Sequence, residues 1–350
     1  MIIDIIFISL IGACVGSFLN VCICRWPDEK SVVSPASHCV KCGKSILWHD
    51  NIPLVSYWVL GGKCRFCGEK FSMRYFWIEL LTALVFAGFY FYSGWSAVTA
   101  AYLTLACCFL VTVFTDFDRR IIPDEVTIGG MFAGLVFSFF IPALHDVTAR
   151  GSWLQMHVMS LGWSAFGALV GGGIIYLLAE IGDLIFKGVV DKSFLKEISS
   201  RPEELFEDLV KGGYLKKRGY ITSRFTRLKN HSEMTLSPSF ESDKEKIFLL
   251  VKDCLGTMGG GDIKLMAMIG AFLGWEKAIL TFLIAPFFGI IVGGIQKLRT
   301  GNSTFPYGPY LVLAALIALF FGDSLIPWLL NQYGWTPDYD PMIQSSFLPR

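Results

Sequence analysis

Residues 75–115 read YFWIELLTALVFAGFYFYSGWSAVTAAYLTLACCFLVTVFT, and over these 41 positions Glu79 is the sole Asp, Glu, Lys, Arg or His. A hydrocarbon core of ~30 Å needs about 20 apolar residues per helical crossing. The stretch therefore holds two spans, divided at Tyr92-Ser93-Gly94. The same pattern recurs on either side. Residues 1–24 carry one charge, Asp4, while 126–144 and 158–179 carry none. Residues 263–296 read as two helices joined near Gly274-Trp275-Glu276-Lys277, and 303–330 as a last span interrupted by Asp323. The expectation is an all-α polytopic membrane protein of about eight transmembrane helices, the sixth being short.

Composition agrees. Of the 350 residues 53% are hydrophobic and 17% charged, with mean hydropathy +0.54, against roughly 25% charged in a soluble domain. Disorder, collagen and small disulfide scaffolds are excluded, and a net charge of +1 gives no pull toward nucleic acid. Residues 1–24 lack the basic leading end of a cleaved signal peptide, so they read as a retained first helix. With the N-terminus outside, the inside segments 25–74, 116–125, 183–264 and 297–302 hold every Lys and Arg except Arg150, Lys277 and Arg350. That asymmetry places the charged segments in the cytoplasm.

The expected organisation is a first helix at 1–24, a cytoplasmic Cys-rich module at 25–74 and helices two to five over 75–183. A second cytoplasmic insertion at 184–258 follows, then helices six to eight over 259–330 and an extracytoplasmic tail at 331–350. Within the insertion, Ser200 reads as a helix cap with Pro202 near the first turn.

The first module carries Cys39-x-x-Cys42-Gly43 and Cys64-x-x-Cys67-Gly68, with 21 residues between the pairs. Four thiolates at this spacing suit a tetrahedral structural metal, zinc before iron. A segment this small has little core, so the metal would contribute to its folding. Two disulfides or four unrelated buried thiols are the competing readings, and a cytoplasmic location opposes the disulfides. His38 and His49 lie nearby but are not needed as ligands. Cys14, Cys22, Cys24, Cys107, Cys108 and Cys254 read as small packing residues.

Carboxylates at a membrane edge are costly and tend to be functional. TDFDRRIIPD at 115–124 places Asp116, Asp118 and Asp124 at the end of the third span, and Gly259-Gly260-Gly261 precedes Asp262 at the start of the sixth. The three glycines allow close approach of a neighbouring helix or an extended peptide. Two close carboxylates share a proton, activate water and protonate a leaving amine, which is peptide-hydrolysis chemistry. Taken singly, each aspartate also reads as an ordinary interfacial residue beside Arg119 and Arg120. Glu79 stands equally as a buried polar contact or as part of a site. Gly171-Gly172-Gly173 reads as close helix packing.

Taken together, GSFLNVCICRWP at 16–27, the two C-x-x-C-G knuckles, NIPLVSYW at 51–58, RYFWIELLTAL at 74–84, TDFDRRIIPD at 115–124 and MGGGDIKL at 258–265 resemble the bacterial type IV prepilin leader peptidases, in the G-x-G-D aspartyl protease group. The resemblance covers nearly the whole chain apart from 184–258, where many relatives have a short connection. It implies a bifunctional enzyme of the bacterial inner membrane. Such an enzyme cuts the basic leader from prepilins or pseudopilins on the cytoplasmic face and N-methylates the new N-terminus with S-adenosylmethionine. By motif, it implies that Asp116 and Asp262 are the catalytic pair. The N-terminal module, 16–79, is the first place to look for methyl transfer. Two other readings stand beside it: a G-x-G-D peptidase without methyl transfer, and a metal-responsive scaffold or transporter with structural aspartates. Carboxylates gathered at one edge, not at mid-span, weigh against a transporter.

Overall fold

The computed structural model describes residues 2–147, 152–200, 259–300 and 306–332. Its regular elements are helices among the described residues. The helices are α1 (Ile2–Arg25), α2 (Val55–Val59), α3 (Arg74–Ser93), α4 (Ala97–Arg119), α5 (Asp124–Phe140), α6 (Trp153–Ser200), α7 (Gly260–Thr300) and α8 (Gly308–Gln332). Among the described residues, β pairing is limited to the isolated bridges His38 to Ser45 and Lys63 to Lys70. Among the described residues, six helices, α1, α3, α4, α6, α7 and α8, are long and apolar enough to cross a bilayer. α5 has 17 residues.

The fifth span closes at Gly182, as expected, and α6 continues as a helix to Ser200. Ser200 is the last described residue of that helix, and the helix expected after it, with Pro202 near its first turn, lies outside the described residues. The expected sixth and seventh spans follow one another along α7 as two helices meeting at a kink at Gly274 (φ 80°, ψ 171°). The chain turns there without leaving the bundle, at the position the sequence marks as a joint.

The first half of α7 is the central stave. Leu265, Met266, Met268, Ile269 and Phe272 are fully buried among α4, α5, α6 and α8. Lipid is as apolar as leucine, so such helices associate through close backbone approach and polar contacts, with little hydrophobic drive between them. Glycine supplies the approach. A Cβ at Gly167 would overlap the Gly270 carbonyl, and one at Gly171 would overlap that of Met266. The triple glycine in α6 therefore does serve helix packing, at Gly171 and Gly172, while Gly173 faces open space. Hydroxyls add the polar contacts: Ser138 donates to the Ser160 carbonyl (2.7 Å), and Ser164 to that of Ala271 (2.7 Å). α1 docks on α3 in the same way. A Cβ at Gly12 would lie 2.8 Å from Phe86 Cβ, and one at Gly16 2.8 Å from Glu79 Cα.

The α6–α7 contact yields a test. Gly167→Ala should destabilise the detergent-solubilised protein by about 1–3 kcal/mol through overpacking. Gly173→Ala should be neutral or slightly stabilising, since glycine is a poor helix former. Thermal unfolding of the two variants checks this, and equal Tm values would contradict the close packing.

Candidate active site and cysteine cluster

α4 presents Leu105, Phe109, Thr112 and Asp116 on one buried stripe, spaced four, three and four residues apart. Asp116 continues the stripe at the helix end and is 6% exposed. Asp118 points elsewhere and pairs with Arg74. The helix stops at Arg120, whose left-handed backbone (φ 54°) returns its N–H to the Asp116 carbonyl at 2.9 Å. The chain then carries Ile122 inward, where it meets the start of α7 at Gly261 and the start of α8 at Gly308.

At this junction the Gly308 N–H donates to Asp116 Oδ2 at 2.9 Å. The first N–H groups of a helix lack intrahelical partners and carry the positive end of its dipole, so the Asp116 carboxylate serves as a cap for α8. A side chain at Gly308 would place its Cβ 2.7 Å from Asp116 Oδ2. Asp262 lies in the first turn of α7, its N–H bonded to the Gly259 carbonyl at 3.0 Å. Ile122 meets both Gly261 and Gly308, so Asp262 and Asp116 stand at one junction.

The structure therefore brings Asp116 and Asp262 together and sets the other two aspartates apart as straps. Asp124 pairs with Lys264 at 2.7 Å, tying α5 to α7. Arg74–Asp118 ties α3 to α4, and Asp28–Arg119 ties the end of α1 to α4. Of the three glycines before Asp262, Gly261 makes the close approach, with a Cβ there 3.0 Å from Ile122. A Cβ at Gly259 would stand 3.2 Å from Asp262 Oδ2, and Gly260 opens α7. Gly308 was not identified from sequence. Its signal was a glycine between Tyr307 and Pro309 at the head of the last apolar run.

The Cys-rich module is two copies of one turn. Cys39 N–H bonds the Lys44 carbonyl (2.9 Å) and Gly43 N–H the Cys39 carbonyl (2.9 Å). Cys64 and Gly68 repeat this with Glu69 and Cys64, at 2.8 and 2.9 Å. Both glycines take positive φ, 68° and 70°, which glycine adopts without strain. The four ligand atoms lie within 4.8 Å of one another, with sulfurs 3.7 Å apart for Cys39–Cys67 and 4.0 Å for Cys42–Cys64. A disulfide requires about 2.05 Å, whereas four ~2.3 Å bonds at tetrahedral angles set sulfurs about 3.8 Å apart. The donor set fits a metal. Backbone N–H groups of Cys42 and Lys41 bring the Cys39 thiol down to about 6. His38 Nδ1 contacts the Ala36 carbonyl and His49 faces Asp50, so neither joins the cluster. Asp50, buried, takes a two-pronged contact from Arg65 (2.7 and 2.5 Å) that holds its carboxyl below the usual range.

Glu79 also finds its partners. Its Oε2 accepts the Leu54 N–H at 2.8 Å, and the Ser17 hydroxyl bonds the same carboxylate. It thereby joins the Cys-rich module to the α1–α3 pair.

Comparison with known proteins adds two family models. The bacterial peptidase A24 N-terminal domain matches residues 10–93, and the type IV leader peptidase family matches 103–190 and 246–294. Similar proteins named prepilin leader peptidase/N-methyltransferase occur in Myxococcus xanthus (38% identical over 183 residues, 51% of this chain and 55% of the relative) and in Pseudomonas aeruginosa (29% over 352 residues, 93% of each chain). Another is in Neisseria gonorrhoeae (26% over 353 residues, 92% of this chain and 93% of the relative). No solved structure matches the chain.

For the cluster, elemental analysis of the purified protein should find about one metal ion per chain. Cys64→Ser should lose most of it and make residues 25–74 more open to proteolysis. Full metal content in that variant would contradict a four-thiolate site.

Proposed function

The chain belongs to the type IV leader peptidase family, and we propose that it removes the leader from prepilins or pseudopilins and N-methylates the new N-terminus. The observation that carries the reading is the meeting of Asp116 and Asp262 at the junction of α4, α7 and α8. Two carboxylates that share one proton supply both halves of peptide hydrolysis. The ionised one takes a proton from water as its oxygen attacks the scissile carbonyl. The protonated one then gives its proton to the departing amine as the C–N bond breaks. The Gly308 N–H orients Asp116, and the glycines at 259–261 leave room for an extended peptide backbone.

We also propose that zinc occupies the Cys39, Cys42, Cys64 and Cys67 site. Four thiolates close its coordination, so it supports the fold of the module and takes no part in hydrolysis. The positive-residue asymmetry supports a multi-pass inner-membrane protein with N-terminus outside. On this reading the Cys-rich module, the aspartate pair and the 184–258 insertion face the cytoplasm. The three ion pairs Asp28–Arg119, Arg74–Asp118 and Asp124–Lys264 gather at the helix ends beside the aspartates, as a water-facing end would have them. S-adenosylmethionine, when bound, supplies the methyl group to the amine that cleavage exposes.

Purified enzyme incubated with a prepilin and isotope-labelled donor should yield a product lighter by the leader and heavier by one methyl, read by mass spectrometry. Asp116→Asn and Asp262→Asn should each abolish leader loss. Asp118→Asn and Asp124→Asn should retain most of it, because they carry straps. Gly308→Ala should slow cleavage by roughly a hundredfold, the usual effect of a displaced catalytic group. An inactive Asp124→Asn beside an active Asp116→Asn would overturn the pair.

A further inference from the structure

The short helix α2, in the Cys-rich module, has its polarity reversed for a helix in water. Val55, Trp58 and Val59, three and four residues apart, form its exposed face, Val59 being 73% exposed. The buried side carries Ser56, whose hydroxyl accepts the Ile52 N–H (2.9 Å) and donates to the His49 carbonyl (3.3 Å). A helix on a water-facing surface turns its polar side outward. Here the hydroxyl is inside and the apolar face outside, so that face suits an apolar medium.

The neighbours of α2 identify the medium. Glu79 lies five residues into α3, roughly 7 Å along its axis at ~1.5 Å per residue, and its carboxylate accepts the Leu54 N–H at 2.8 Å. The chain therefore enters α2 deeper than the charged helix ends, where Arg74 pairs with Asp118 and Asp28 with Arg119. A tight turn starts the helix there: the Val55 N–H bonds the Pro53 carbonyl at 2.7 Å around Leu54, whose φ is 64°. The Trp58 ring then stands edge-on to Phe76 in the first turn of α3 (5.5 Å), and Phe76 to Trp77 (5.7 Å). Trp77 opens the exposed stripe Trp77, Leu81, Leu84 and Phe91 along α3, a helix long and apolar enough to cross a bilayer. The outer face of α2 is thus continuous, ring to ring, with the surface that α3 shows to lipid. Aromatic rings gather at that level of a membrane, and interfacial helices lie about 5–10 Å into the headgroup boundary.

Charge agrees with this placement. Residues 25–74 hold eight Lys and Arg against four Asp and Glu, a surplus that four thiolates around a divalent metal would reduce but not cancel. Two of the bases, Lys63 and Lys70, are exposed and pair across an isolated bridge just past α2. Anionic headgroups attract such residues.

We infer that α2 is an interfacial helix, its Val55–Trp58–Val59 face seated in the headgroup–acyl boundary of the bilayer that α3 crosses. The Cys-rich module then lies on the membrane surface, held to the helices by Glu79 and to lipid by α2. The inference needs α3 to cross a bilayer and is independent of the proposed cleavage and methyl transfer.

The test uses the full-length protein in lipid nanodiscs of phosphatidylethanolamine and phosphatidylglycerol. A benzoylphenylalanine photoprobe is placed at Val59, with Leu84 on the α3 stripe and the exposed Lys30 as reference positions. After irradiation, mass spectrometry should find phospholipid adducts at position 59 in a yield near that at 84 and at least tenfold above that at 30. Trp58→Ser combined with Val59→Ser should speed trypsin cleavage after Lys63 and Lys70 at least fivefold in the same nanodiscs, with the metal content of the unaltered protein. A lipid yield at 59 no higher than at 30 would overturn the seating. So would adducts at 59 with an added prepilin or a second copy of the chain in place of lipid, or unchanged proteolysis in the double variant.

Discussion

The hydrogen bond from the Gly308 N–H to Asp116 is the contact on which the rest of the architecture turns. A carboxylate at a helix end near the bilayer is costly unless something satisfies it. Here the unpaired N-terminus of another helix does so. The arrangement requires α4, α7 and α8 to end at one level, with no side chain at Gly308 and a tight contact between Gly261 and Ile122. α7 in turn reaches that level by lying against α6, glycine on glycine. The ion pairs around the junction then fix the ends of α1, α3 and α5 beside it. Asp118 and Asp124, so close in sequence to Asp116, are committed to this framework.

The Cys-rich module is built on a different principle. It has almost no apolar interior of its own: Val33, Val40, Trp48, Trp58 and Val59 are all exposed. What organises it are two identical turns whose backbone N–H groups converge on thiolates, and one two-pronged Asp50–Arg65 contact. Glu79 couples it to the membrane helices.

Much of this was readable in the sequence. Long uncharged runs and the paired C-x-x-C-G turns are local signals, and both reappear where expected. Asp116 and Asp262 were also legible as candidates, because ionisable residues are scarce enough in such a chain that those at an apolar boundary stand out. What escaped was set by tertiary packing. Gly308 acts through a backbone N–H, which no residue type advertises. Glu79 could be singled out but not interpreted, since its partners Leu54 and Ser17 offer a main-chain donor and a common hydroxyl. Charge density marked the end of the fifth span, which closes at Gly182, but not the end of α6, which runs on to Ser200, since only a breaker or a cap ends a helix.

The central claim, that Asp116 and Asp262 form one catalytic unit, is tested most directly by the rates of single-turnover leader release with enzyme in excess. These would be compared for the two single Asp→Asn variants and the double variant. Groups acting as a unit lose nearly everything with the first substitution, so the double variant should be within a few-fold of the slower single one. Losses that multiply would mean that the two aspartates contribute independently, and the account of a shared proton would be wrong.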